Sequence, residues 1–297
     1  MELKKPLSFE EQAERLAEHK IDTSSFGDVR SVVKQTGYYR LSGYSLQYRR
    51  SATDSDCVDG TTFGQVYAIY SFDQDLRHLL RKYLEITEVY YKSLIGTTFA
   101  LIKCKDAPHD QHYDQNNFHN KTGYQEVMDS LEKEGKSYYR DSLIMKHHKQ
   151  KYSGKMPLWV MLELLSFSNT SKLFSAMWDS EQTAIAKHVG VSNKTLENHL
   201  HCLSVLRNKC AHCARLYNTV MNPPVHMAES FLKRHPEVKN DSVFAYIHTL
   251  HKRLPNRAAK QEMYEDIISL LNRYKTDLDL SLIGFPDNYE ELLQFNI

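Results

Sequence analysis

Arg207, Asn208 and His212 lie close together in a stretch that reads Leu-Arg-Asn-Lys-Cys-Ala-His-Cys-Ala-Arg-Leu-Tyr-Asn over residues 206–218, and Arg215 and Asn218 follow them. A guanidinium carries a permanent charge and fork-shaped donors that match phosphate oxygens. An imidazole gives and takes a proton near neutral pH. Together they suit metal-free chemistry on a phosphodiester. The bare spacing is weak evidence. Histidine five to seven places after arginine occurs twice, at Arg207/His212 and Arg140/His147. Chance alone gives about two such pairs at these residue frequencies.

The elements that must hold these residues read as helices. Ser192 or Asn193 can cap a helix carrying the motif, and Pro223-Pro224 lies just beyond its end. At 100° per residue Asn208 and His212 share a face, which Arg215 extends. Arg207 sits about 140° from His212, and its long side chain can reach around to the same groove. Leu196, Leu200, Leu203, Leu206 and Cys210 form a separate apolar stripe. The polar edge, with small Ala211 and Ala214 beside it, could meet a second copy across a two-fold axis.

Elsewhere the pattern is helical almost throughout, and glycine and proline number only 11 and 8. Ser8 and Glu11 make a capping box for a helix reaching about Lys20. A second helix runs from Asp28 to Gln35 and stops at Gly37. Thr61 or Thr62 caps a long apolar-periodic run from Phe63 to about Lys103, as one helix or two with a kink. Residues 104–122 read as a loop, 123–147 as a polar helix, and the segment to Gly154 as a basic linker. Pro157 opens a helix reaching Trp178. Residues 180–189, 242–253 and 257–275 complete the set. There is no alternating strand run and no internal repeat, so the chain reads as all-α.

Bulk properties narrow the function classes. Lys plus Arg at 38 against Asp plus Glu at 37 leaves no global attraction to nucleic acid, so RNA contact must come from local patches. Five cysteines do not suggest a disulfide scaffold at this size. No run approaches the roughly 18 apolar residues of a membrane span, and the N-terminus shows no signal segment, so a cytoplasmic setting is expected.

Three other features invite two readings each. Cys210-Ala211-His212-Cys213 spells C-x-x-C, which suits a redox or zinc site elsewhere. Inside a helix, buried small cysteines are the commoner outcome. Residues 30–50 carry Arg30, Lys34, Arg40, Arg49 and Arg50 without an acid, interleaved with Tyr38, Tyr39, Tyr44 and Tyr48. Such a stretch can grip a single strand by phosphate contacts and base stacking, and its arginines are expected to bind a structured RNA away from the Arg207–His212 groove. Alternatively the tyrosines pack, Tyr38 and Tyr39 included, and Arg40 enters a buried ion pair. Lys146 to Lys155 is a second basic stretch, read as a solvated linker. Asp73 and Arg77, four apart, can pair within their helix and brace the motif helix.

The wording Arg-Asn-x-Cys-Ala-His followed by Arg-x-x-Asn resembles the active-site helix of HEPN-type ribonucleases. More narrowly, it resembles the Abi-like proteins of bacterial abortive infection, the AbiD/AbiF group. Tyr38-Tyr39-Arg40-Leu41-Ser42-Gly43-Tyr44, Phe72-Asp73-Gln74-Asp75-Leu76-Arg77 and the run from Pro157-Leu158-Trp159 to Ser166-Phe167 are similar to three further signatures of that family, in its order. The family more often shows an Ile-Glu-x-x-x-Arg type run after Leu84; here Tyr91-Lys92 follows Glu88, which weighs against a catalytic role for this helix.

The resemblance implies a HEPN-type helical bundle with N-terminal and C-terminal helical additions. Residues 1–60 would be an N-terminal region with possible RNA contact. Residues 61–222 would be the core, with a polar insertion at about 104–155, and 223–297 would pack on it. The resemblance further implies a homodimer, with His212 as acid/base, Arg207 on the scissile phosphate and Asn208 orienting either. Arg30, Arg40, Arg49, Arg50, Arg215 and Asn218 are the expected RNA contacts. The RNA 2′-hydroxyl would attack, leaving a cyclic phosphate, with no metal or cofactor needed. An RNA-cutting toxin of antiphage defence is expected, with a small structured RNA as its antitoxin. The alternative is a non-catalytic RNA-binding or scaffold protein on the same fold.

Overall fold

In the computed structural model, which describes residues 3–51, 53–138 and 142–294, the protein is all-α. Among the described residues there are three isolated bridges and no strand. The N-terminal helices are α1 (Phe9–Glu18), α2 (Val29–Thr36) and α3 (Tyr38–Ser42). Ser8 and Glu11 form the expected reciprocal box at the start of α1, and Asp28 caps α2. Gly37, at φ +86°, ends α2 where a side chain would be strained. These helices close a small core of their own around Leu16, Val29, Val33, Leu41 and Phe63.

The spine is α4 (Phe63–Lys103), one unbroken helix of 41 residues and hence about 60 Å long. Thr62 and Gln65 form its capping box. Its buried face runs Val66, Ile69, Phe72, Leu76, Leu80, Tyr83, Leu84, Tyr91, Ile95 and Phe99, the 3–4 spacing that a core-facing stripe requires. After two short 3-10 turns come α5 (Lys121–Tyr138) and α6 (Leu143–Tyr152). The basic stretch expected as a linker is therefore helical as far as Tyr152: Ser142 caps α6 and Ser153, in the left-handed region, ends it. Arg140 lies outside the described residues. The segment after α4 is polar on average, yet it adds Phe118, Tyr124 and Val127 to the main core.

The helix expected from Pro157 to Trp178 is two helices, α7 (Leu158–Leu164) and α8 (Phe167–Ala176). Leu165 is extended, and the Ser166 hydroxyl accepts from the Asn169 N–H, so a cap inside the run restarts the helix at a new angle. Gly96 lets α4 approach α7: a Cβ there would lie 3.0 Å from the Trp159 Cα. Then follow α9 (Asp179–Lys187) and α10 (Asn193–Ala211), the motif helix, capped by Ser192. The C-terminal part holds α11 (Glu229–Arg234), α12 (Val243–Arg253), α13 (Arg257–Arg273) and α14 (Tyr289–Gln294). Of these, α11 and α14 are too short to show a period in sequence. Helices α4, α8, α9 and α12 all pack on α10, and the stripe Leu196, Leu200, Leu203, Leu206 and Cys210 is buried as expected. Among the described residues no helix is long and apolar enough to cross a membrane.

Candidate functional site

Helix α10 stops one residue before His212. The Ala214 N–H bonds back to the Lys209 carbonyl at 2.9 Å and the Cys213 N–H to the Cys210 carbonyl at 3.3 Å. This is the Schellman pattern, with Cys213 in the left-handed conformation at φ +55°. His212 is thus the terminal cap residue, and its imidazole is exposed, with no hydrogen bond or ion pair to the described residues. Asn208 donates from Nδ2 to the Ser168 hydroxyl at 3.0 Å, which ties α10 to α8. Arg207 is half-buried, and its Nε lies 3.4 Å from Glu88 on α4. Glu88 also holds Lys92 at 2.9 Å. A lysine four residues on therefore shares the Glu88 carboxylate with Arg207.

The segment after α10 is held by a buried carboxylate. Asp73 accepts from the Leu216 N–H at 3.1 Å, the Tyr217 N–H at 2.8 Å and the Tyr44 hydroxyl at 2.6 Å, and it pairs with Arg77. Arg77 also reaches the Ala214 carbonyl at 3.3 Å. Burial, and Asp73 beside it, push the Tyr44 phenol up, so it remains a donor. The expected Asp73–Arg77 pair is present, and it braces the chain just past the motif helix.

Two reciprocal ties join this segment to α3. Arg40 donates to the Cys213 carbonyl, and Arg215 donates to the Gly43 carbonyl. Gly43 leaves room for this tie: a Cβ there would lie 3.1 Å from the Arg215 Nη1, a tight contact. Arg40 is exposed and makes no ion pair among the described residues, contrary to the buried pair considered for it.

Two clefts flank the end of α10. One, of about 450 Å³, lies along α4 and is lined by His78, Arg81, Lys82, Glu88, Lys92 and Arg207 among others. The other, of about 430 Å³, lies against α3 and includes Tyr39, Arg40, Arg49, His212 and Arg215. Within one copy of the chain, then, Arg207 and His212 open onto neighbouring clefts and not onto the single groove expected. The reason is the helix end: beyond Ala211 the backbone turns, and Glu88 draws Arg207 the other way.

The six expected RNA contacts divide. Arg40, Arg49 and Arg215 converge beside His212, so part of the basic N-terminal stretch adjoins the candidate site and is not remote from it. Arg30 is paired with Glu10, and Arg50 with Asp59 at 2.8 Å. Asn218 is exposed in a left-handed turn at φ +52°, away from both clefts. Tyr38 packs on the small core, but its neighbour Tyr39 is 91% exposed, so the packing expectation fails for Tyr39. Of the C-x-x-C pair, Cys213 is exposed and Cys210 is buried in the core, where desolvation pushes its thiol up to about 12. Sequence reasoning named Tyr39 only among the interleaved tyrosines, and it missed Ser168 and the α4 cations. The signal for the last was present: His78, Arg81, Lys82, Glu85, Glu88 and Lys92 recur at helical spacing.

The sequence profile described as Abi-like protein matches residues 31–218 of this chain. The chain belongs to the Abi-like family. No curated protein and no solved structure was found to match it. Family membership points to abortive-infection defence. In this Abi-like chain the four signature segments meet around one helix end. Tyr44 and Gly43 come from the first signature, Asp73 and Arg77 from the second, Ser168 stands beside the third, and α10 is the fourth.

Proposed function

We propose that this Abi-like protein is a HEPN-type endoribonuclease of abortive infection. The observation that carries this reading is the exposed imidazole of His212, unpartnered among the described residues, at the edge of a cleft with three guanidinium groups. Such an imidazole can accept the proton of an RNA 2′-hydroxyl or return one to the departing 5′-oxygen. The 2′-oxygen attacks the adjacent phosphorus, the bond to the 5′-oxygen breaks, and a 2′,3′-cyclic phosphate remains. Arg207 neutralises the charge that grows on the phosphate oxygens. Asn208 fixes the helix end through Ser168. Proton transfer and charge neutralisation are both supplied by side chains, so the reaction needs no metal.

Because Arg207 and His212 open onto different clefts in one copy, a composite site calls for two copies. Val89, 56% exposed, and exposed Ala211 beside Arg207 offer small apolar contact for a second chain. A homodimer joined at the ends of α10 would set the Arg207 of one copy against the His212 of the other. A small structured RNA is the proposed restraint on such a toxin. A second reading, a non-catalytic RNA-binding scaffold, is favoured by one observation: Glu88 already occupies the Arg207 guanidinium.

The two readings separate on the products. Incubation of the purified chain with RNA in excess chelator should yield fragments ending in 2′,3′-cyclic phosphate. Intact RNA, or cleavage that stops when chelator is added, would remove the metal-independent ribonuclease reading.

A further inference from the structure

The cleft beside His212 has a charge pattern that its neighbour lacks. Arg40, Arg49 and Arg215 line it, and among the described residues no carboxylate does. Arg40 and Arg215 are tied to backbone carbonyls and not to acids, so their charge is not cancelled. Each guanidinium has five N–H donors, and most remain available. Arg49 makes no ion pair among the described residues, and its Nε is buried without a partner. The Arg207 cleft, by contrast, sets Glu85 and Glu88 against its cations. Elsewhere in the N-terminal segment, Arg30 and Arg50 are neutralised by Glu10 and Asp59. Of the arginines between residues 30 and 50, the two without an ion pair among the described residues, Arg40 and Arg49, are the ones gathered here.

Beside them stands Tyr39. Its neighbours Tyr38 and Tyr44 are packed, while its own ring is almost wholly in water. A bare aromatic ring next to guanidinium groups without a counter-carboxylate is the pairing that holds an unstacked base and its phosphates. Leu46, partly exposed, adds apolar surface to the same wall. A volume of about 430 Å³ is in the range of pockets that enclose one small ligand.

We infer that this cleft holds one unpaired nucleotide of an RNA strand, with its base on Tyr39 and its flanking phosphates on Arg40, Arg49 and Arg215. The inference rests on the ribonuclease reading for its substrate. It adds that the strand is single at the point where it passes His212. Duplex RNA keeps its bases stacked inside the helix and has none to offer Tyr39.

The test uses the full chain and a fluorescein-labelled RNA dodecamer without self-complementarity, followed by anisotropy. All binding is measured in the His212→Ala background so that the probe stays whole. Tyr39→Ala should weaken binding about ten-fold or more, and Tyr39→Phe should bind like the parent, because stacking does not need the hydroxyl. Arg49→Ala should weaken binding and lower the salt slope by about 0.7. The dodecamer annealed to its complement should bind at least about ten-fold more weakly than the single strand. Tyr39 is exposed, so an unchanged melting temperature accompanies these results. Parent-like binding by Tyr39→Ala, or equal affinity for duplex, overturns the inference. So does displacement of the probe by polyglutamate at equal charge, which would assign the cleft to an acidic peptide. If the unmutated chain leaves the dodecamer uncut while Tyr39→Ala loses binding, the ribonuclease reading fails and the nucleotide site stands. If the dodecamer is cut at a rate independent of Tyr39, only the nucleotide site fails.

Discussion

His212 owes its exposure to the residue after it. Cys213 adopts the left-handed conformation that closes a Schellman motif, a position that glycine fills without steric cost. A side chain there is disfavoured, and the Arg40 contact to the Cys213 carbonyl offsets part of the penalty. Cys213→Gly should therefore raise stability by up to about 1 kcal/mol, because relief of the left-handed strain exceeds the added freedom of the unfolded chain. Chemical denaturation with a matched slope measures this; a loss of stability would mean that the thiol makes a contact of its own. The residue scale is also where sequence is least informative. Tyr38 and Tyr39 are adjacent and chemically identical, and α3 turns one to the core and the other to water. Only the packing partners decide which. Arg207 and His212 were legible as candidates. Their separation into two clefts was not, because it follows from where α10 stops and from Glu88, 119 positions earlier in the chain.

At the scale of elements, α10 is placed by buried polar contacts as much as by its leucines. Asp73 on α4 receives two backbone N–H groups from the turn after α10, one phenol and one guanidinium. Removing that carboxylate leaves Arg77 buried without its counter-charge and two N–H groups unmet. Asp73→Ala should cost about 3–5 kcal/mol. An equilibrium unfolding curve shifted by less than 1 kcal/mol would show that the turn is held by packing alone. Helix starts were well marked in sequence, since Ser8, Asp28, Thr62 and Ser192 cap where their side chains suggest. The break at Leu165–Ser166 was hidden because apolar residues lie on both sides of it, Leu164 and Leu165 before and Phe167, Leu173 and Phe174 after. Its capping role depends on α8 turning to meet α5 and α10.

The whole molecule carries a pH dependence unrelated to the candidate site. The C-terminal helices and the face of α10 beneath them bury His199, His248 and His251. Burial pushes His248 down to about 3 and the other two to about 4. These imidazoles are neutral in the fold and titrate near 6.5 when unfolded. Their contribution is therefore fully present above about pH 6.5 and is lost as the pH falls from there toward 4. Each histidine adds a slope of up to about 1.4 kcal/mol per pH unit in that window. Urea midpoints should be flat from pH 7 to 8 and fall below 6.5, with a shallower fall in His248→Phe. A midpoint unchanged at pH 5 would show that the three imidazoles reach water.

The central claim is that Arg207 and His212 perform one reaction and come from two copies of the chain. Its most direct measurement is RNA cleavage by Arg207→Ala, by His212→Ala, and by the mixed dimer of the two, co-expressed and purified through one tag on each. Each variant alone should bind RNA within about three-fold of the parent and cut none. The mixed dimer rebuilds one intact site, from the Arg207 of one copy and the His212 of the other, and should recover up to half the parental rate. Cleavage by His212→Ala at the parental rate, or a mixed dimer as inactive as its components, would contradict the account.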